Sequence, residues 1–207
     1  MNEHSFIFAV DMRIRDEHKE QIVKQKALEL LVSQGFEGFS MQKLARAANV
    51  SPATLYIYYK DKEDLIVSIG REIAEKHNAA IFKDFDPYAP FADGLRVQWQ
   101  NRAEFMMSHK LEMDFYEQIK NSSFKEAVTE NIVAEFREKM KIFMQNAVQR
   151  GEIEEMPIEV SWSILYAPLY NLIRFHQEGK SITGKPFVLT DEILWQTFDL
   201  VLKGIKN

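Results

Sequence analysis

Thr54, Tyr56, Ile57 and Tyr58 crowd around Leu55 within five residues. On a helix Leu55 can point inward, which leaves the other four for the remaining faces. Tyr56 to Tyr58, all aromatic or β-branched, are poor company for bulk water. They suit a nucleic-acid groove and its phosphates. Such side chains act only if short, well-terminated elements hold them out. Ser51 is a good N-cap, because its hydroxyl accepts from a free amide of the first turn. Pro52 then takes the first helical position, where a missing N–H costs nothing. Ser40 can cap a preceding helix whose Leu44, Ala45 and Ala48 recur at core-facing spacing. Between the two helices Asn49 falls where the turn needs positive φ, which Asn tolerates better than most non-Gly residues. Val50 plugs the space beneath the turn. Asp61 can cap a third helix, with Leu65 and Ile66 opening its apolar face. Two short helices, a tight turn and a following helix are the layout of a helix-turn-helix, whose second helix enters the major groove of DNA. A segment this short needs a larger body to carry it.

The run Phe39-Ser…Leu44-Ala…Ala47-Ala-Asn-Val-Ser51, followed by Thr54-Leu-Tyr, Tyr58-Tyr-Lys-Asp-Lys-Glu-Asp-Leu65, resembles the N-terminal domain of the tetracycline-repressor (TetR) family. The likeness spans roughly residues 16–70 and runs without gaps. Two departures are Asn49, where the family usually has Gly, and Tyr59, where Phe is commoner. The resemblance implies roles residue by residue. Gln42 is implied as a base-edge reader, since Gln pairs bidentately with adenine N6 and N7. Pro52, Ala53 and Thr54 would lie nearest the bases, and Tyr56 against a base methyl or a phosphate. Ser40, Tyr58 and Lys62 would hold phosphates. Lys43 is placed with this contact set, although Lys43, Arg46 and Lys60 read equally well as solvated charges. Phosphate contacts set position and base contacts set sequence, so specificity is expected from Gln42 through Thr54.

The net charge of −5 sits awkwardly with binding a polyanion until its distribution is examined. Residues 12–62 hold nine Lys/Arg against six Asp/Glu, whereas residues 63–207 hold 17 against 23. The basic excess therefore lies with the motif, as a local electrostatic footprint. It is modest, so two copies would bind far better than one. The chain's 207 residues, 46% of them hydrophobic, suffice for one large domain or two small ones. The absence of cysteine excludes disulfide staples and thiolate metal sites and fits a cytoplasmic location. No apolar run approaches a membrane span.

At the N-terminus Phe6-Ile-Phe-Ala-Val10 is apolar but lacks the basic start and length of a signal peptide. Residues 1–11 read either as an extension ahead of a start at Met12 or as a short packed arm. Residues 1–15 are therefore set apart, with a DNA-binding domain over 16–62 and a helical regulatory and dimerisation domain over 63–207. The first helix is expected from about Glu17 to Gln34 on the Val23, Ala27, Leu30, Leu31 stripe, closed by Gly35. A linker helix follows from Lys62 to about Ala80. A two-proline loop covers 84–94. Helices are then expected near 94–109 and 110–121. Ser123 and Glu126 form a capping box opening a helix that ends at Gly151. Another helix spans about Glu159 to Glu178, bent at Pro168 and closed by Gly179. The last is capped by Thr190 or Asp191. No strand alternation is visible. The chain reads as all-α, about nine helices: an N-terminal three-helix helix-turn-helix DNA-binding domain plus a C-terminal helical ligand-binding and dimerisation domain.

Catalytic chemistry is not apparent, and no enzyme, cofactor or metal is expected. His4, His18, His77, His109 and His176 do not pair at ligand spacing; His109 with Glu112 is read as a surface or cap interaction. The body is rich in large, adaptable side chains that either fill a core or line an apolar pocket. Trp99, Phe105, Met106, Met113, Tyr116, Met140, Phe143, Met144, Tyr166 and Tyr170 are the candidate ligand set, with Arg102 and Arg174 as partners for an acidic ligand. That such a body holds a pocket is implied by the resemblance. Leu165, Leu169 and Leu172 make one row, with Ile164 and Ile173 lying off it, and Leu194, Phe198 and Val201 share a face of the last helix. Helices apolar around most of their girth must be buried, so Leu165, Leu169, Leu172, Leu194, Phe198 and Val201 are expected in a two-fold interface. The implied partners are double-stranded operator DNA, a second copy of the chain and a small-molecule inducer, with no membrane.

Overall fold

The computed structural model describes residues 3–205, with side chains within residues 18–205 except that of residue 131. Ten helices are found among them: α1 Glu3–Gly38, α2 Met41–Ala47, α3 Pro52–Tyr58, α4 Lys62–Ile81, α5 Phe91–Ser108, α6 Lys110–Lys120, α7 Lys125–Gln149, α8 Ile158–Leu165, α9 Ala167–Glu178 and α10 Asp191–Ile205. Gly35 divides α1 in two, so the count is eleven rather than about nine. The all-α reading stands. None of the described helices is long and apolar enough to cross a membrane.

Two helical expectations are corrected. α1 begins at Glu3, not near Glu17, so residues 3–15 continue the first helix. Whether Phe6–Val10 packs against anything lies outside the described residues. The expected helix over 159–178 is two helices, α8 and α9, broken at Tyr166 (φ −121°, ψ −31°) two residues before Pro168. Proline lacks the N–H that would bond four residues back, so the ladder is interrupted there. At the head of α7, Ser122 rather than Ser123 takes a backbone N–H, from Phe124 at 3.1 Å.

The chain divides into two compact units. The first comprises residues 1–74 and 111–129, and the second 75–110 and 130–207. The first thus runs past residue 62 and takes in α6 and the start of α7. In it Val23, Ala27 and Leu31 line the buried side of α1, with Leu44, Leu55, Leu65 and Ile66 buried on α2 to α4. Phe36 packs edge-on to Phe115 of α6 and tilted against Phe124, at 6.2 and 5.2 Å between ring centroids. Lys24 on α1 bridges Glu72 of α4 (2.8 Å) and Glu20 (3.1 Å). Burial works against the Lys24 ammonium, but the two carboxylates outweigh it and push the group up to about 12. Gly35 has φ 69° and ψ 176°, a region essentially reserved for glycine, and so turns the chain sharply out of the long helix.

In the second unit Phe91, Leu95 and Trp99 of α5, Met140, Phe143 and Ala147 of α7, Leu165, Leu169 and Ile173 of α8 and α9, and Leu194 and Phe198 of α10 form one core. Gly94 is required there, because a Cβ at that position would collide with the Phe143 ring. The loop before α5 is tied down by Arg150, which donates to the carbonyls of Tyr88 (3.2 Å) and Ala89 (2.7 Å). Glu152 accepts from the Phe91 N–H at 2.6 Å. Gly179, in the left-handed region at φ 67°, ends α9.

Candidate nucleic-acid interface

The segment from Ser40 to Lys62 is built by local hydrogen bonds. Ser40 is extended (φ −147°, ψ 153°), and its hydroxyl accepts from Lys43 N at 3.3 Å, starting α2. Ala48 N and Val50 N donate to the carbonyls of Leu44 (2.8 Å) and Ala45 (3.0 Å), closing the turn. Asn49 holds φ at 53°, the left-handed backbone expected of it. Ser51 accepts from Thr54 N at 3.1 Å and pairs with the Thr54 hydroxyl at 2.9 Å, so the cap and first turn of α3 are locked together. Leu55 is fully buried and alone anchors the helix, which carries no other buried side chain. Behind it Tyr59 is buried and ends α3. Asp64 then accepts from Lys60 N (2.9 Å) while Asp61 accepts from Asp64 N (2.8 Å), launching α4.

This framework leaves the outer side of α3 in solvent: Tyr56 is 55% and Ile57 78% exposed, with Pro52 and Ala53 exposed and Thr54 and Tyr58 half-buried. Gln42 is exposed, and its amide makes no hydrogen bond among the described residues. A concavity of about 410 Å³ between α2 and the start of α3 brings Gln42 and Pro52 onto one surface with Ala45, Arg46, Asn49 and Val50. Arg46, read from the sequence as an equal chance of being a solvated charge, lies four residues from Gln42 and shares this surface. The i, i+4 spacing on α2 was the signal for it. Lys43 is held back: its ammonium donates to Gln34 Oε1 (2.9 Å) and to the Gly38 carbonyl (2.5 Å), and must leave both to reach a phosphate. Lys62 is half-buried and Lys60 exposed. The Tyr59 hydroxyl is buried without a hydrogen-bond partner among the described residues. Burial pushes it up to about 12, and the Lys24 ammonium pulls the other way.

The candidate ligand residues are divided between the two units. Met113 and Tyr116 belong to the first unit and the other ten to the second. Trp99, Arg102, Phe105, Met140, Phe143 and Tyr166 are buried, whereas Met106, Met144 and Tyr170 are half-buried. Arg174 is exposed, 3.6 Å from Glu178 and over the Phe175 ring at 4.9 Å. The indole N–H of Trp99 donates to the Leu165 carbonyl at 2.8 Å, at the α8–α9 break. Arg102 donates from Nε to the Tyr170 hydroxyl at 3.1 Å and from Nη1 to the backbone and side-chain oxygens of Gln98. A separate concavity of about 580 Å³ on the second unit, beside Ala103, Met107, Leu194 and Trp195, contains none of the ligand set.

The residues expected at a two-fold interface are mostly interior within the single chain. Leu165, Leu169, Leu194, Phe198 and Val201 are buried in the chain's own core, and only Leu172 is half-exposed. Their excess of apolar faces is met by α5 and α7 of the same chain. The apolar side chains left in solvent on these helices are Ile158, Val160, Trp162 and Ile164 of α8 and Leu200 of α10.

Comparison with known proteins converges on this arrangement. Residues 25–69 match the family model described as bacterial regulatory proteins, tetR family. An uncharacterized HTH-type transcriptional regulator of Haemophilus influenzae is 34% identical over 80 residues, which span 39% of this chain and 43% of that protein. The uncharacterized HTH-type regulator YdeS of Bacillus subtilis is 26% identical over 168 residues, spanning 76% of this chain and 79% of YdeS. In structure, the chain resembles a TetR family transcription regulator from Marinobacter aquaeolei VT8 at a TM-score of 0.73 and 24% identity, covering 94% of this chain and 99% of the other. A TetR-family regulator from Haemophilus influenzae superposes at 0.70 and 21% identity, covering 92% and 98%. These two likenesses bear on the fold, and the matched residues 25–69 enclose the whole of the α2–turn–α3 motif. The chain thus carries, over residues 25–69, a helix-turn-helix domain matching the tetR family of bacterial regulatory proteins.

Proposed function

We propose that the protein is a homodimeric repressor that binds a palindromic operator and is released by a small molecule. The observation that carries the first part is the outer side of α3, where Tyr56 and Ile57 stand in solvent on a helix anchored by Leu55 alone. Gln42 and the start of α3 share one concave surface, so base-edge contacts would come from Gln42, Pro52, Ala53 and Thr54. Tyr56 would lie against a base methyl or phosphate. Ser40, Tyr58, Lys62 and, once freed from Gln34, Lys43 would hold the backbone. Arg46 joins this set from its place in the concavity.

A two-fold pair of such helices needs an interface, and the exposed apolar side chains of α8 with Leu200 supply a candidate. A ligand in the second unit would act through α4, whose residues belong partly to each unit. Release requires that the ligand bind one of two states better than the other. The protein is read as non-enzymatic and cytoplasmic. A second reading, a DNA-bound structural protein of the same fold with no inducer, draws support from the filled core around Trp99, Phe143 and Phe198.

The test is selection of genomic duplexes by the purified chain, with light scattering for mass. The repressor reading expects a dimer that enriches inverted half-sites about one helical turn, ~34 Å, or a multiple apart. Its affinity should fall steeply with salt. A monomer that enriches no sequence would defeat it.

A further inference from the structure

We propose that Arg102, Tyr166 and Tyr170 form the head-group site for a small organic carboxylate with an apolar body. The inference rests on the reading of the second unit as a ligand-responsive body, and it names the class of ligand.

Arg102 is 0% exposed and meets no carboxylate among the described residues. A buried guanidinium is ordinarily paired, because an isolated buried charge is strongly disfavoured. Arginine has five N–H donors. Nε is used by Tyr170, and Nη1 turns to the two oxygens of Gln98. Nη2 is buried with no partner, and so is the Tyr166 hydroxyl. The two groups are neighbours, since the guanidinium carbon lies 4.6 Å from the centre of the Tyr166 ring. Both are donors. Burial keeps the Tyr166 hydroxyl protonated by pushing it up to about 12.

One uncompensated positive charge and two idle donor groups match a carboxylate, with one negative charge and two acceptor oxygens. A phosphate would bring more charge and more acceptors than the cluster can answer. The apolar body follows from the surroundings. Trp162 stacks 5.9 Å from Tyr170 and lies 4.9 Å from Tyr166, and Phe136 lies 6.2 Å beyond it. Tyr166 is the residue between α8 and α9, outside both helices. Its backbone is bonded to both neighbours: Tyr166 N donates to the Trp162 carbonyl at 3.0 Å, and Tyr170 N donates to the Tyr166 carbonyl at 3.1 Å. Entry of the ligand therefore requires the Tyr166 side chain, not the backbone, to swing off Arg102.

The full-length chain is titrated with sodium octanoate and with octanamide, following tryptophan fluorescence and the thermal midpoint. Octanoate is expected to bind at least tenfold more tightly than octanamide. Arg102→Met should remove that preference while leaving octanamide binding within about threefold, and Tyr166→Phe should weaken octanoate severalfold. The ligand-free thermal midpoint of Arg102→Met should not fall, because an apolar side chain replaces a buried unpaired cation. Equal affinity for acid and amide, no saturable octanoate binding, or octanoate binding untouched by both substitutions would overturn the proposal. A lowered midpoint in Arg102→Met without loss of the preference would assign Arg102 to structure alone and overturn it too. DNA binding by the ligand-free wild type is read in parallel. Acid selectivity without DNA binding supports the site and sinks the regulator reading; DNA binding without acid selectivity does the reverse.

Discussion

The outer side of α3 and the buried surroundings of Arg102 handle polar groups in opposite ways. On α3 Tyr56 stands in solvent, where its hydroxyl can exchange a hydration shell for a phosphate or a base edge at little cost. Arg102 is fully buried, and a donor left idle there is a standing penalty. The first arrangement lets one anchoring leucine present a reading surface. The second makes sense if an anion completes it. Polar exposure thus marks one candidate site and polar burial the other.

Substitutions sharpen this contrast, the largest effect coming first. Leu55→Ala should destabilise the chain by about 2–5 kcal/mol in denaturant unfolding, as expected for a fully buried leucine. Ile57→Ala, at 78% exposure, should stay within about 0.5 kcal/mol. If the two cost the same, α3 is not held as described. Alkali should act next. Tyr59 and Tyr166 are raised from 10 to about 12 by burial, so their protonated forms favour the folded state. That stability is fully present below pH 10 and is lost as pH climbs through about 12. Phenolate absorbance should show Tyr59 and Tyr166 titrating late, and Tyr59→Phe with Tyr166→Phe should flatten the alkaline loss. Within the Arg102 cluster, Tyr170→Phe removes a hydrogen-bond acceptor from a buried cation and should cost about 1–3 kcal/mol, whereas Tyr166→Phe removes an idle hydroxyl and should be near neutral. The smallest effect is Ser51→Ala, which loses the α3 cap for about 1 kcal/mol and should weaken DNA binding more than it weakens the fold.

What was legible from the sequence was local. Ser40, Ser51–Pro52, Asn49, Gly35 and Gly179 each state their backbone role within a few residues, and each adopts it. The start of α4 at Lys62 follows from the same punctuation, whereas the break at His109 has no glycine or proline to announce it. The features that escaped depend on distant partners. Grouping α6 with the first unit rests on contacts such as Phe36 with Phe115, far apart in the chain. Leu165, Leu169 and Phe198 looked like spare apolar surface because nothing in a helical stripe tells whether α5 and α7 or a second copy will cover it. Arg102 was named as a partner for an acidic ligand, but its full burial without a carboxylate became visible only once α5 was packed against α9.

The most direct test of the central claim is a fluorescence-anisotropy titration of one selected duplex with the wild type, Gln42→Ala and Tyr56→Ala, all checked for unchanged unfolding midpoints. The account predicts that each substitution weakens binding at least tenfold. Wild-type affinity in both variants would contradict it.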